Sequence, residues 1–146
     1  NPLDTELPHV DCIVATPPLA MRLDKTYTLL DGSKTRDVEL VSLDQCIRSL
    51  KPGGRAVLHL SKGLTYRKQS EDYRHYIANS FRVSALIGLP SGAFYGTSIP
   101  SVIIVIDNDL PSSTFVAQIG SDWQEQLSRS GSALQAANNY LDGNQP

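Results

Sequence analysis

The sequence predicts an α/β fold, a doubly wound and mostly parallel sheet that ends in an antiparallel hairpin. Two observations carry this expectation. Up to residue 89, apolar runs of strand length alternate with segments of helical period, as in chains that bring each strand back parallel to the last. Between residues 83–89 and 102–106 the alternation stops. A loop rich in Gly, Ser and Pro joins these two strands with no crossover helix, so they are expected to pair antiparallel.

The elements follow in order. Residues 10–15 form a short, nearly continuous apolar run, expected as a strand buried on both faces, and Pro17 and Pro18 stop it. A polar stretch, residues 24–36, with Asp31, Gly32 and Ser33 as turn chemistry, leads to a helix in which Leu40, Leu43, Ile47 and Leu50 recur at helical spacing. Pro52, Gly53 and Gly54 are expected to end that helix. They lack the surrounding glycine pattern of a phosphate loop. Residues 56–60 read as the next strand. Ser70 is a candidate N-cap for a second helix with Tyr73, Ile77 and Phe81 on one face. Residues 114–119 add a short strand. Leu134, Ala137 and Leu141 mark a closing helix before Gly143, within a polar tail from about residue 120 to 146.

At 146 residues, 40% hydrophobic and 19% charged, the chain has the make-up of one ordinary soluble domain. No apolar run exceeds the five residues 102–106, far short of the roughly 20 that a membrane helix takes. The start, Asn1-Pro2-Leu3-Asp4, has neither an initiator Met nor a basic-then-apolar leader, which reads as a piece cut from a longer polypeptide. Cys12 and Cys46 stand in apolar stretches without metal-ligand spacing. They read as buried free thiols of a reducing compartment, the cytoplasm, and no metal site is expected. The net charge of −2 hides an asymmetry: residues 47–82 hold eight Lys/Arg against two acids, residues 1–46 four against eight, and residues 83–146 one against five. That central segment is either a phosphate-facing patch or a set of solvated helix faces.

Ala15-Thr16-Pro17-Pro18-Leu19 follows directly on a strand, where ligands bind in open α/β sheets. With residues 10–14 ahead of it, this run resembles the strand and catalytic motif of the amino-group DNA methyltransferases, which read Asn, Asp or Ser, then Pro-Pro, then an aromatic. Two more stretches agree with it. Residues 49–55, Ser-Leu-Lys-Pro-Gly-Gly-Arg, resemble that family's helix-to-strand turn. Ile87-Gly88-Leu89-Pro90, with Gly92, Phe94, Gly96, Thr97, Ile99 and Pro100, resembles its hairpin loop. The chain is most similar to the modification subunits of type I restriction systems, over residues 10–107 with a weaker echo to about 142.

The resemblance implies the C-terminal half of a Rossmann-like, S-adenosylmethionine-dependent methyltransferase domain that methylates the exocyclic amine of adenine in DNA. That amine is a poor nucleophile, so the base is flipped into a pocket where acceptors engage its hydrogens. In the family these acceptors are the side-chain oxygen at the first motif position, here Thr16, and the carbonyl of the first proline, here Pro17. Pro18 completes the bend, and Leu19 stands where an aromatic stacks on the base. Thr16 and Leu19 both depart from the pattern. Thr16 keeps one hydroxyl acceptor on a β-branched side chain. Misdirecting such a group costs roughly 3–4 kcal/mol, and losing the stacking ring about 1–3 kcal/mol. The catalytic motif is therefore degenerate.

Phe94, with Tyr95 beside it, is either a second aromatic for the base or a plug onto the core. Thr97 either touches phosphate or satisfies loop backbone. Lys62, Arg67 and Lys68 follow the second strand's carboxyl end, where DNA phosphate is expected to pass. His59 reads as a hydrogen-bonded core histidine. The resemblance further implies DNA, a specificity subunit and a restriction subunit as partners. It also implies an incomplete S-adenosylmethionine pocket, because the family's Gly-rich first-strand loop is not in this sequence. A half-sheet exposes an apolar edge, so a homodimer or strand exchange is expected. The alternative reading is a catalytically inactive DNA-binding or assembly module on the same scaffold, and a third is methylation of RNA or protein.

Overall fold

The structure is a computed structural model that describes residues 9–19, 21–92, 99–128 and 131–143. Its elements are β1 (Val10–Ala15), β2 (Arg22–Thr28), β3 (Lys34–Asp37), α1 (Val38–Arg48), β4 (Leu50–Ser61), α2 (Glu71–Ser80), β5 (Arg82–Leu89), β6 (Ser101–Asp107), β7 (Phe115–Gln118), α3 (Trp123–Gln126) and α4 (Ser132–Leu141). Two 3-10 turns, Lys62–Thr65 and Lys68–Ser70, bridge β4 to α2. Five strands form one sheet in the order β1-β4-β6-β5-β7, and β2 and β3 form a separate hairpin. β1 lies parallel to β4 and β7 parallel to β5, while β6 runs antiparallel to both β4 and β5. The expected hairpin is thus β5–β6, and its second strand, β6, is inserted between the two parallel pairs β1–β4 and β5–β7.

Side-chain alternation divides the strands between two apolar layers. Ala56, Leu58 and Leu60 of β4, all fully buried, point with Val102, Ile104 and Ile106 toward Leu40, Leu43 and Ile47 of α1 and Tyr73 and Ile77 of α2. Burying each of those larger side chains contributes about 1.5–3 kcal/mol. On the opposite face, Ile87 and Leu89 pack with Ile119 and Ala137 against α3 and α4. Asp37 starts α1 by accepting hydrogen bonds from the Glu39 and Leu40 amides at 2.8 and 3.4 Å. Asp44, fully buried, joins three elements: it accepts from Arg48 Nε (2.6 Å), from the Leu30 amide (2.9 Å) and from the Tyr73 hydroxyl (3.0 Å).

Several expectations need correction. β1 is not buried on both faces: among the described residues only β4 pairs with it, Val14 is 76% exposed, and Cys12 is exposed rather than buried. Cys46 is buried, and desolvation pushes its thiol up to about 11. Residues 24–36 are not a plain connector but most of the β2–β3 hairpin around the Asp31-Gly32 turn. α1 ends at Ser49 without reaching Leu50, and Pro52-Gly53-Gly54 lies inside β4 as a bulge. Two steps along β1, Val10 to Cys12, match five along β4, Leu50 to Arg55. Gly53 takes φ +80 there, and Asn108 clasps the bulge through the Gly53 amide (2.8 Å) and the Gly54 carbonyl (2.9 Å). Ser70 stands before α2, but its hydroxyl donates to the Leu64 and Arg67 carbonyls instead of capping the helix, and Phe81 lies just past the helix end.

Candidate functional site

The register of the sheet decides which chain segments share an edge. Ala15 pairs with Leu58, so the bend after β1 lies level with the last residues of β4. Ser61 pairs with Ser101, which pairs in turn with Leu89. The carboxyl ends of β1, β4 and β5 and the start of β6 therefore meet at one edge. Hydrogen bonds tie this rim together: the Lys62 amide donates to the Pro100 carbonyl (2.9 Å), and Lys62 Nζ donates to Gln118 Oε1 at the end of β7 (2.9 Å). His59 Nε2 lies 2.7 Å from the Ser101 hydroxyl, a hydrogen-bonded, half-buried histidine whose pKa is lowered by burial.

At the bend itself Thr16 and Pro18 are exposed, Pro17 is buried and Leu19 is half-buried. The chain then turns into the hairpin, and the Val38 amide donates to the Met21 carbonyl at 3.1 Å, holding the exit of the bend against the start of α1. Thr16 has no side-chain hydrogen bond among the described residues. Phe94, Tyr95 and Thr97 lie outside the described residues. The flanks of their loop, Pro90 on one side and Ile99 and Pro100 on the other, sit on the rim just traced.

The three expected phosphate-facing cations behave differently from one another. Arg67 turns inward: it donates to Ser61 Oγ at 3.0 Å and pairs with Asp37 (3.4 Å) and the buried Glu39 (3.9 Å). Glu39 in turn accepts from the Ser61 amide (2.5 Å) and hydroxyl (2.8 Å), fixing the end of β4 against the first turn of α1. Lys62 is bonded to Gln118. Lys68 is exposed, and its ammonium has no partner among the described residues. Between the hairpin and the 3-10 turns opens a cleft of about 370 Å³ lined by Arg22, Lys34, Arg36, Asp37 and Arg67 over Leu40 and Leu64. Sequence reasoning missed Arg22, Lys34 and Arg36, because their segment read as a connector.

The sequence profile of the N-6 DNA methylase family matches residues 1–135. The chain belongs to the N-6 DNA methylase family. Solved structures of similar fold include the type I restriction-modification methyltransferase subunit from Streptococcus thermophilus, at 18% identity and a TM-score of 0.70 over 97% of this chain and 35% of that one. The M protein of the type I restriction enzyme EcoKI matches at 19% identity and 0.68, over 80% of this chain and 26% of that one. A protein from Listeria monocytogenes assigned as a class I S-adenosylmethionine-dependent methyltransferase matches at 17% identity and 0.71, over 92% and 43%. At these identities the likeness is one of fold. This N-6 DNA methylase chain spans less than half the length of each of these structures. No curated protein sequence matches it.

Proposed function

We propose that this N-6 DNA methylase chain supplies the base-facing rim of a DNA adenine methyltransferase of the type I modification kind, and that its own turnover is weak. The observation that carries the proposal is the Pro17-Pro18 bend at the carboxyl end of β1, with the exposed Thr16 beside it, on the same sheet edge as Lys62 and the flanks of the Phe94 loop. The Thr16 hydroxyl and the Pro17 carbonyl act as acceptors for the two amine hydrogens of an extruded adenine. Leu19 offers an apolar contact where a ring would stack. Phe94 and Tyr95 are the aromatic residues assigned to the base, and Thr97 and Lys68 meet the backbone.

S-adenosylmethionine, when bound, supplies the electrophilic methyl. Under this reading the exposed bend, Thr16 and Pro18, would border it. Partners under this reading are DNA, a specificity subunit and a restriction subunit. The outer edge of β1, which no strand covers among the described residues, invites a second copy or a strand exchange. A monomeric sedimentation profile at high concentration would remove that part. A catalytically inactive DNA-binding or assembly module is the second reading, favoured by Leu19 in the stacking position.

The test uses the longest natural polypeptide that carries this sequence, adenine-containing duplex and labelled S-adenosylmethionine. Slow methyl transfer to adenine is expected, and Leu19→Phe should raise it by roughly 5- to 150-fold, the equivalent of about 1–3 kcal/mol of stacking. Thr16→Asn, which restores the amide oxygen, should raise it further. No transfer by the wild type or by either variant would leave the inactive module.

A further inference from the structure

The cleft beside the bend is a site that neither the motif nor the family match accounts for. Its walls carry four cations, Arg22, Lys34, Arg36 and Arg67, against one carboxylate, Asp37. That carboxylate is already committed: it caps α1 through the Glu39 and Leu40 amides and pairs with Arg67. Arg22, Lys34 and Arg36 are exposed and form no ion pair among the described residues. Arg36 Nε donates to the Leu23 carbonyl at 2.8 Å, and among the described residues this is the one side-chain hydrogen bond that the three cations make. Asp37 pairs with Arg22 in the hairpin ladder and is the residue from which α1 starts, so the cationic wall is held at the same rim as Thr16, three residues beyond Leu19. Two guanidinium forks and an ammonium converging on a recess call for an anion with several acceptor oxygens. A phosphate fits that chemistry better than a carboxylate does.

We propose that this cleft grips a backbone phosphate of duplex DNA next to the extruded base, with Arg22, Lys34 and Arg36 as the gripping groups and Arg67 holding the wall in place. The inference rests on the reading of DNA as the substrate. It differs from that reading in resting on the hairpin and not on the motif, and it requires no adenine. Such a contact positions the duplex and reads no sequence.

The experiment measures binding of the 146-residue chain to a short labelled duplex by fluorescence anisotropy across a salt series. It uses two duplexes, one with adenine and one built only from G·C pairs, and inorganic pyrophosphate as competitor. Arg22→Ala and Lys34→Ala remove exposed side chains, so the fold should be unchanged, which a thermal melt verifies. Each should flatten the slope of log K against log salt by about 0.9 for one lost phosphate contact, and by the same amount on both duplexes. Lys51→Ala, an exposed cation in the β4 bulge at the far edge of the sheet, should leave the slope as it was.

Unchanged slopes in the cleft variants, or an equal loss with Lys51→Ala, would overturn the proposal. So would pyrophosphate binding at the cleft without any duplex binding, which marks a free-anion site. A failure of methyl transfer leaves these slopes untouched, so the cleft and the adenine chemistry stand or fall separately.

Discussion

Asp44→Ala should lower stability by about 3 kcal/mol, and the structure shows where that figure comes from. The carboxylate is fully buried and accepts hydrogen bonds from the Tyr73 hydroxyl, the Leu30 amide and Arg48. Tyr73 is 2% exposed, so without Asp44 its hydroxyl loses its acceptor at a cost of about 1–3 kcal/mol. The half-buried Leu30 amide adds about 1 kcal/mol. The side chain of Arg48 is 42% exposed and rehydrates, so its ion pair adds little. The sum sits at the low end of the roughly 3–5 kcal/mol typical of breaking a buried pair. For a chain of this size it corresponds to a fall of roughly 6–12 °C in Tm.

Urea and thermal unfolding of Asp44→Ala, Tyr73→Phe and the double variant measure the effect directly. Tyr73→Phe alone should cost about 1 kcal/mol, since Asp44 keeps two partners, and Asp44→Ala should cost less in its presence because no hydroxyl is then stranded. Burial and the facing Asp44 push the Tyr73 pKa well above its ordinary value, so the hydroxyl remains a donor throughout the accessible pH range. A loss under about 1 kcal/mol for Asp44→Ala, or strict additivity of the pair, would refute this account of how hairpin, α1 and α2 are joined.

Two further outcomes follow from the sheet. Gly54→Ala should destabilise by about 1–3 kcal/mol, since a Cβ there would stand 2.9 Å from the Lys51 carbonyl, 3.1 Å from that of Asp11 and 3.2 Å from that of Val10. Gly53→Ala meets no atom within 4 Å and should cost only the roughly 1–2 kcal/mol of its left-handed backbone; equal melts for Gly54→Ala and wild type would count against the bulge. Burial lowers the pKa of His59 from the ordinary 6.5, so the unfolded chain takes up its proton first as pH falls. Stability from this group is present above about 6.5 and is lost as pH drops through the folded value. Urea titrations on both sides of that pH should show the loss, and His59→Gln should remove it.

The apolar strands were legible because their neighbours are all within the chain. Residues 102–106 are a continuous apolar run and residues 56–60 are apolar but for His59, and both are buried on at least one face by helices that the 3.6-residue period also announced. β1 carries the same kind of run, but a pattern of apolar residues records what a strand is suited to, not which neighbours cover it. Val14 is therefore exposed. The β2–β3 hairpin was missed for the opposite reason. Its residues are mostly polar, with Leu23 and Tyr27 separated by three polar residues on β2, so neither a core stripe nor a two-residue alternation marks it. The usable signal was chemical: Thr26-Tyr27-Thr28 is a β-favouring triplet ahead of an Asp-Gly turn, with Thr35 on the other side of it. Without the hairpin, Arg22, Lys34 and Arg36 had no common surface to be assigned to. The motif at residues 16–19 was legible as position, because a Pro-Pro stop directly after a strand can only fall at that strand's carboxyl end.

The charge count misled for a reason that lies in the geometry of β4. The eight cations of residues 47–82 look like one patch along the chain, yet β4 runs from one edge of the sheet to the other, and from Arg55 to Ser61 alone it covers roughly 20 Å. Arg55 and Arg82 are left at the far edge, where Arg55 forks onto Asp107 at 2.7 and 3.0 Å and Arg82 meets Asp109 at 3.8 Å. Arg48 is bound to Asp44, Arg67 to Asp37 and Glu39, and Arg74 to the Leu64 and Arg67 carbonyls. Five of the eight are thus neutralised or spent on backbone, and their attraction for a phosphate is correspondingly reduced. The segment that counted as acidic, residues 1–46, nevertheless supplies three of the four cations of the cleft. Asp37 and Asp44 point inward to cap and clamp, and the Arg22, Lys34 and Arg36 cations of the same stretch are left facing water. On a sheet, the sign of a surface is set by which charges are already paired, and a linear sum counts paired and unpaired charges alike.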